Sequence, residues 1–269
     1  MPITPKGTAY DFYPARNGGE NRRTIVLIHG LGLCRHLWND HLDALTQDFD
    51  VLNYDFYGHG ESSPPTEQAS LSVYARQILE LMDDLSIDKI ELVGFSIGGM
   101  INRRFALDFP ERLNSLVILN SPHEREPNAQ IAVEERASQV ASEGAMATMD
   151  AALIRWFTPE FLANRSDVAE KVRAWRGLAD VKAYPDACMV LAAGVKELIR
   201  PEKPIDIPAL VMTCENDSGS TPHMTFEIAK EISPDAGGAE TLVVPKLQHL
   251  GLMEDPKVYT NAILNFLNT

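Results

Sequence analysis

Basic residues are scarce in this chain: 24 lysines and arginines stand against 38 aspartates and glutamates, a net charge of −14. A nucleic acid or an anionic membrane surface needs a basic patch to hold it, so neither is expected as a partner. Cysteine is scarcer still. Cys34, Cys188 and Cys214 are odd in number, far apart, and without metal-ligand spacing. They exclude a disulfide framework and read as reduced, buried thiols. His36, His41, His59 and His223 are scattered, with no zinc-like spacing, and read as surface or loop residues. No metal is expected. No apolar run approaches the ~18 residues of a membrane span. The opening MPITPKGTAYDFYP has early prolines and no apolar stretch, so no signal peptide is expected and the expected location is cytoplasmic. Low-complexity segments and internal repeats are absent. Nothing in the sequence speaks to oligomeric state.

What the chain has is enough apolar residue for a large core: 45% hydrophobic against 23% charged over 269 residues. Apolar β-branched runs alternate with helical patterns. Gly7–Tyr13 reads as an edge strand and Asn17–Arg23 as a polar turn. Thr24–Ile28, Asp50–Tyr54, Leu113–Leu119, Ala209–Thr213 and Thr241–Val244 read as strands. Leu37–Leu45, Leu71–Leu85, Thr225–Ile232 and Val258–Leu267 read as helices. This alternation predicts an α/β protein with a doubly wound, mostly parallel sheet. It stops from Asn120 to about Pro204, where only helical patterns occur, at 131–149, 149–156, 168–178 and 188–199. The expected organisation is a core of 1–120 and 206–269 with an inserted helical cap at 121–205.

The chemistry centres on Glu91–Met100, ELVGFSIGGM. A buried strand runs into Gly-Phe-Ser-Ile-Gly-Gly and then a helix, which places Ser96 at the apex of a sharp turn. Gly94 and Gly98 flank it because a side chain there would meet the neighbouring helix or strand. A serine hydroxyl needs an imidazole to take its proton and a carboxylate to orient the imidazole. Asp217 and His249 each follow a later strand. Alone, Asp217 reads as a turn or cap residue and His249 as a buried loop histidine. The ordered trio Ser96, Asp217, His249 at successive strand ends reads as a catalytic triad. The loop His29-Gly30-Leu31-Gly32 also follows a strand, and its glycines let backbone approach a substrate. The N–H groups of Leu31 and Ile97 would form the oxyanion hole. His29 is expected to bond backbone within its loop. Met146, Met149 and Met189 read as packing residues of the inserted helices, and Cys214 as a buried small hydrophobe.

The segments VLIHGLG, YDFYGHGESS and LVGFSIGGM, with the Asp217 and His249 loops, resemble the α/β-hydrolase superfamily. The resemblance covers both core segments, and within it the branch of 3-oxoadipate enol-lactonase-like esterases and lactonases fits best. It implies hydrolysis of a small carboxylic ester or lactone, without a cofactor. Ser96 excludes the aspartate-nucleophile dehalogenases of this fold. Carbon–carbon bond hydrolases, hydroxynitrile lyases, proline aminopeptidases and cofactor-free perhydrolases share the triad, and a non-turnover ligand receptor shares the fold. The Asp55 loop resembles a family segment in which the aspartate is structural, but Tyr57 stands where arginine is common. Trp156, Phe157, Phe161 and Trp175 give the cap aromatic bulk, as of an apolar lid. Enol-lactone hydrolases act on substrates with a free carboxylate. Of the interleaved Arg125, Arg155 and Arg173, Arg125 is expected to hold one, with Arg155 next in line.

Overall fold

The computed structural model describes residues 2–17 and 22–269. The polar turn expected at 17–23 lies partly outside them. Among the described residues the strands are β1 (Tyr10–Tyr13), β2 (Thr24–Ile28), β3 (Asp50–Tyr54), β4 (Ile90–Phe95), β5 (Leu113–Leu119), β6 (Ala209–Cys214) and β7 (Glu240–Val244). They form one 7-stranded sheet in the order β1-β3-β2-β4-β5-β6-β7. The β1 edge runs antiparallel to β3, and the other pairs are parallel. Burial on both faces explains why β2 reads TIVLI, apolar but for its first residue.

Before the fifth strand the helices are α1 (Asn39–Leu45), α2 (Leu71–Asp84) and α3 (Ile97–Asp108). After it come α4 (Pro127–Glu143), α5 (Met149–Trp156), α6 (Pro159–Asn164), α7 (Ser166–Gly177) and α8 (Ala183–Ala193). The chain closes with α9 (Pro222–Glu231), α10 (Gly251–Glu254) and α11 (Pro256–Leu267). Four of them, α2, α6, α9 and α11, start on a side-chain cap. The Ser70 hydroxyl accepts from the Val73 N–H at 3.2 Å, and the Thr221 hydroxyl from the Met224 N–H at 3.3 Å.

The period-2 alternation of β2 divides the core into two layers. Val26 and Ile28 pack with Leu71, Tyr74, Ile78, Met100, Ile101 and Ile228, from α2, α3 and α9. Ile25 and Leu27 pack on the opposite face with Leu45, Tyr259 and Ile263, from α1 and α11. The sheet is therefore doubly wound. From β2 the chain goes to β3 on one side and then crosses to β4 on the other. That reversal opens a crevice beyond the carboxyl ends of β2 and β4, where α/β sheets bind ligands.

Between β5 and β6 the described chain forms α4–α8 and no named strand. α4 packs on α8 through Ala137, Val140, Tyr184, Cys188 and Ala192. α4 spans 127–143 and not 131–149, because Pro127 suits its first turn and Gly144, at φ 92°, ends it. The three cysteines are free and buried. His41 is neither a surface nor a loop residue, since it lies on α1 at 1% exposure, and His59 is the loop residue expected but is equally buried. Of the three inserted methionines only Met149 is core; Met146 and Met189 are 48% and 45% exposed.

Candidate active site

The β4–α3 turn holds Ser96 at φ 59° and ψ −115°, outside the regions that non-glycine residues normally occupy. Such a conformation persists only where its surroundings dictate it. Here the Ser96 N–H donates to the Leu119 carbonyl at 2.8 Å, and the Gly99 N–H to the Ser96 carbonyl at 2.9 Å. A Cβ on Gly94 would lie 2.2 Å from the Gly98 oxygen, and one on Gly98 would lie 2.7 Å from the Ile28 oxygen. Both glycines are thus required by the closeness of helix and strand.

His249, on the loop after β7, lies between Ser96 and Asp217. Its Nδ1 is 2.6 Å from Asp217 Oδ2, and its Nε2 is 3.1 Å from Ser96 Oγ. The carboxylate can only accept, so Nδ1 donates and Nε2 is left as acceptor for the serine hydroxyl. Asp217 is 2% exposed. Its Oδ1 accepts from the N–H groups of Gly219 and Ser220, each at 2.9 Å. Burial pushes the Asp217 carboxyl up, but the His249 ring and hydrogen bonds from His249, Asn120 and Ser220 outweigh it and leave it below the ordinary value. The arrangement can carry a proton from the serine to the imidazole while the carboxylate balances the charge.

The N–H of Ile97 is the first of α3 and has no intrahelical acceptor. Gly30 and Leu31 line the same cavity as Ser96 and His249. His29 fixes that loop: its Nδ1–H donates to the Gly30 carbonyl at 2.8 Å, and its Nε2 accepts from the Phe56 N–H at 3.2 Å. Burial holds the His29 imidazole down at about 4, so it stays neutral. The cavity, about 310 Å³, is roofed by the inserted helices. Trp156 lines it, with its ring centroid 6.2 Å from that of His249. Arg125 and Arg155 line it too, joined by Arg136 and Arg176. Arg173 does not reach it; it pairs with Asp150 at 2.5 Å and Glu170 at 3.2 Å. Phe157 and Trp175 are buried in the helix packing instead.

The sequence profile of the alpha/beta hydrolase fold matches residues 23–256. The chain belongs to the α/β-hydrolase fold family. It is 27% identical over 262 residues to 3-oxoadipate enol-lactonase 2 of Acinetobacter baylyi, covering 97% of this chain and 94% of that protein. It is 25% identical to the (E)-2-((N-methylformamido)methylene)succinate hydrolase of the same organism, over 91% of this chain and 90% of that one. Among solved structures, the enol-lactonase from Burkholderia xenovorans LB400 superimposes with a TM-score of 0.86 at 29% identity, over 97% of this chain and 96% of that one.

Two features of this hydrolase fold escaped the sequence. Asn120, just past β5, donates its side-chain N–H to Asp217 Oδ2 at 2.9 Å. The Tyr259 hydroxyl donates to Asn120 Oδ1 at 2.8 Å and so fixes the amide orientation. Asn120 sits at φ 47°, a positive φ that asparagine tolerates better than most residues. The second is the partner of Asp55, which Tyr57 does not provide. Arg35 does: its backbone N–H donates to Asp55 Oδ1 at 2.7 Å, and its guanidinium contacts Asp55 and pairs with Asp11 at 2.7 Å and Glu61 at 2.6 Å. Among the described residues no cluster of His, Cys, Asp and Glu could hold a metal ion, and no helix is long and apolar enough to cross a membrane. Burial pushes the Cys214 thiol up to about 11, which keeps it protonated at neutral pH.

Proposed function

We propose that the chain hydrolyses a small carboxylic ester or lactone through an acyl-enzyme on Ser96. The observation that carries this reading is the Asp217–His249–Ser96 series, with both imidazole nitrogens engaged at 2.6 and 3.1 Å. Ser96 Oγ attacks the carbonyl carbon as its proton passes to His249 Nε2. The backbone N–H groups of Leu31 and Ile97 receive the oxyanion, a donor of this kind lowering the barrier by about 3 kcal/mol. The acyl C–O bond then breaks, and the leaving oxygen takes the proton from His249. In a lactone that oxygen remains on the acyl chain. Water attacks the acyl-enzyme, gives its proton to His249, and the acid departs as Ser96 regains its hydrogen. Gly30 permits the approach of the acyl group, and Trp156 covers it. The segment 121–205 acts as the cap that sets specificity over the core of 1–120 and 206–269.

The substrate carries a carboxylate distal to the scissile bond, and Arg125 binds it. The Leu191 and Ala192 carbonyls and Gln130 Oε1 hold this guanidinium at 3.2–3.3 Å, but no carboxylate pairs with it among the described residues. The names of the two curated relatives, one an adipate-derived enol-lactonase and one a succinate-derivative hydrolase, support such a substrate.

A fluorophosphonate tests the nucleophile. Mass spectrometry is expected to find the label on Ser96 alone, and Ser96→Ala is expected to abolish turnover of a panel of esters and lactones while the circular dichroism spectrum is kept. Wild-type rates in the alanine variant would overturn the reaction. Labelling without turnover of any panel member would point to a ligand receptor.

A further inference from the structure

Four arginines line one cavity in a strongly acidic protein: Arg125, Arg136, Arg155 and Arg176. None of them forms an ion pair with an aspartate or glutamate among the described residues. Every other arginine except Arg103 does. Arg103 lies outside the cavity and donates instead to the Gly99 and Pro122 carbonyls and Ser121 Oγ. Surplus carboxylate is plentiful on this chain, so pairing is the ordinary fate of its arginines. Apart from Arg103, its absence is confined to the cavity.

The four differ in how they are held. Arg176 is 2% exposed, and its guanidinium lies 5.2 Å from the ring centroids of both Trp156 and Tyr184. Its Nη1 donates to the Ala145 carbonyl at 3.3 Å, and its buried Nε has no hydrogen-bond partner. Arg155 donates one bond, to the Ala151 carbonyl of its own helix. Arg136 makes no hydrogen bond among the described residues. Burial pulls the guanidiniums of Arg125, Arg136 and Arg155 down, with Arg136 adding to the effect on Arg125, and Arg136 and Arg176 adding to that on Arg155. They form one mutually repelling arc. The carboxylate that acts on it, Glu134, favours charge on Arg125 but does not pair with it and accepts from Gln130 Nε2 at 2.7 Å. Arg176 is buried and the other three are half-buried, so their unpaired charge is costly and a ligand of opposite charge relieves it.

One carboxylate presents two oxygens, which a single bidentate guanidinium occupies and two can share. Four guanidiniums around about 310 Å³ exceed what one carboxylate satisfies. We propose that the cavity takes an acyl substrate with two free carboxylates, an ester or lactone of a tricarboxylic acid, the first held from the Arg125 side and the second by Arg155 and Arg176 with Arg136 between. This rests on the reading of the cavity as the acyl-substrate site.

Three methyl esters of matched backbone test it: methyl butyrate, monomethyl glutarate and monomethyl propane-1,2,3-tricarboxylate. Each added carboxylate is expected to raise kcat/KM about tenfold, the size of a charge-assisted hydrogen bond, with the gain chiefly in KM. Arg136→Gln and Arg155→Gln are expected to lower kcat/KM for the dianionic ester about tenfold more than for the neutral one. Calorimetry on the same proteins with free propane-1,2,3-tricarboxylate reads binding without chemistry. Equal kcat/KM for the mono- and dianionic esters, or arginine variants that slow all three alike, would overturn the second subsite. If no ester turns over but the tricarboxylate binds wild type and loses about tenfold in either variant, the anion site stands and the hydrolysis reading falls. No binding and no charge preference would end the proposal.

Discussion

Asp217 owes its geometry to four groups at once: His249, Asn120, and the N–H groups of Gly219 and Ser220. Glu215 is the other carboxylate on this loop, but it faces outward and accepts from the Lys246 N–H at 2.8 Å. An amide at 217 would keep the shape and remove the charge that favours a donating Nδ1 on His249. Asp217→Asn is expected to lower kcat about ten-thousand-fold with little change in KM, as in serine proteases, while Glu215→Gln is expected to stay near wild type. Steady-state kinetics on both variants checks this, and an active Asn variant beside a dead Gln variant would reassign the acid. Ser96 was legible because a Gly-x-Ser-x-Gly turn has few alternative uses. Asp217 and His249 were legible only through their order after strands. Asn120 and Tyr259 were not legible, since their value lies in contacts across the sheet that no local pattern encodes.

The junction of β4 with α3 is the element whose packing was most readable. Gly94 is fixed by the 2.2 Å that would separate a new Cβ from the Gly98 carbonyl oxygen, a backbone atom that cannot swing aside. Overpacking of this kind costs about 1–3 kcal/mol or more. Gly94→Ala is therefore expected to lower Tm by about 2–12 °C for a chain of this length. Gly177→Ala, on α7 with nothing within 4 Å of its new Cβ, is expected to leave Tm level or raise it slightly. Differential scanning calorimetry of the pair decides it; an unchanged Tm for Gly94→Ala would remove the steric account. Most long elements followed from period, but it puts α4 at 131–149 against 127–143 and α8 at 188–199 against 183–193. The six-residue α6 and four-residue α10 did not, because so few turns give no apolar repeat to read. The Tyr57 substitution shows the converse. The sequence put the Asp55 ion pair in doubt, and the fold supplies Arg35 from another loop.

At the scale of the molecule, the alternation of strands and helices was enough for a parallel, doubly wound sheet. It did not reveal the arginine arc, because Arg125, Arg136, Arg155 and Arg176 come from separate parts of the insertion and converge only when it packs. Nor did it reveal that histidines at the two faces of the sheet are sealed from water. Burial holds His29 and His41 at about 4, against 6.5 for a free imidazole, and His59 well below it. Their folded values are depressed, so the unfolded chain takes up protons first as pH falls below about 6.5. The stability these neutral rings contribute is whole above that point and is lost progressively towards pH 4. At pH 5 each of His29 and His41 accounts for about 2 kcal/mol, a large share of a total near 5–15 kcal/mol. The opposing effect is relief of self-repulsion as the charge of −14 shrinks. That relief is small above pH 5, because most carboxylates titrate lower. Urea midpoints are therefore expected to fall steadily from pH 7 to 6 to 5. His41→Asn keeps a donor near the Thr260 hydroxyl, which lies 2.7 Å from His41 Nδ1, and removes one titrating ring. It is expected to be less stable at pH 7 but to lose about 2 kcal/mol less between pH 7 and 5. A midpoint that stays level across that range in wild type, or a variant with the wild-type slope, would show that these rings do not govern the acid limb.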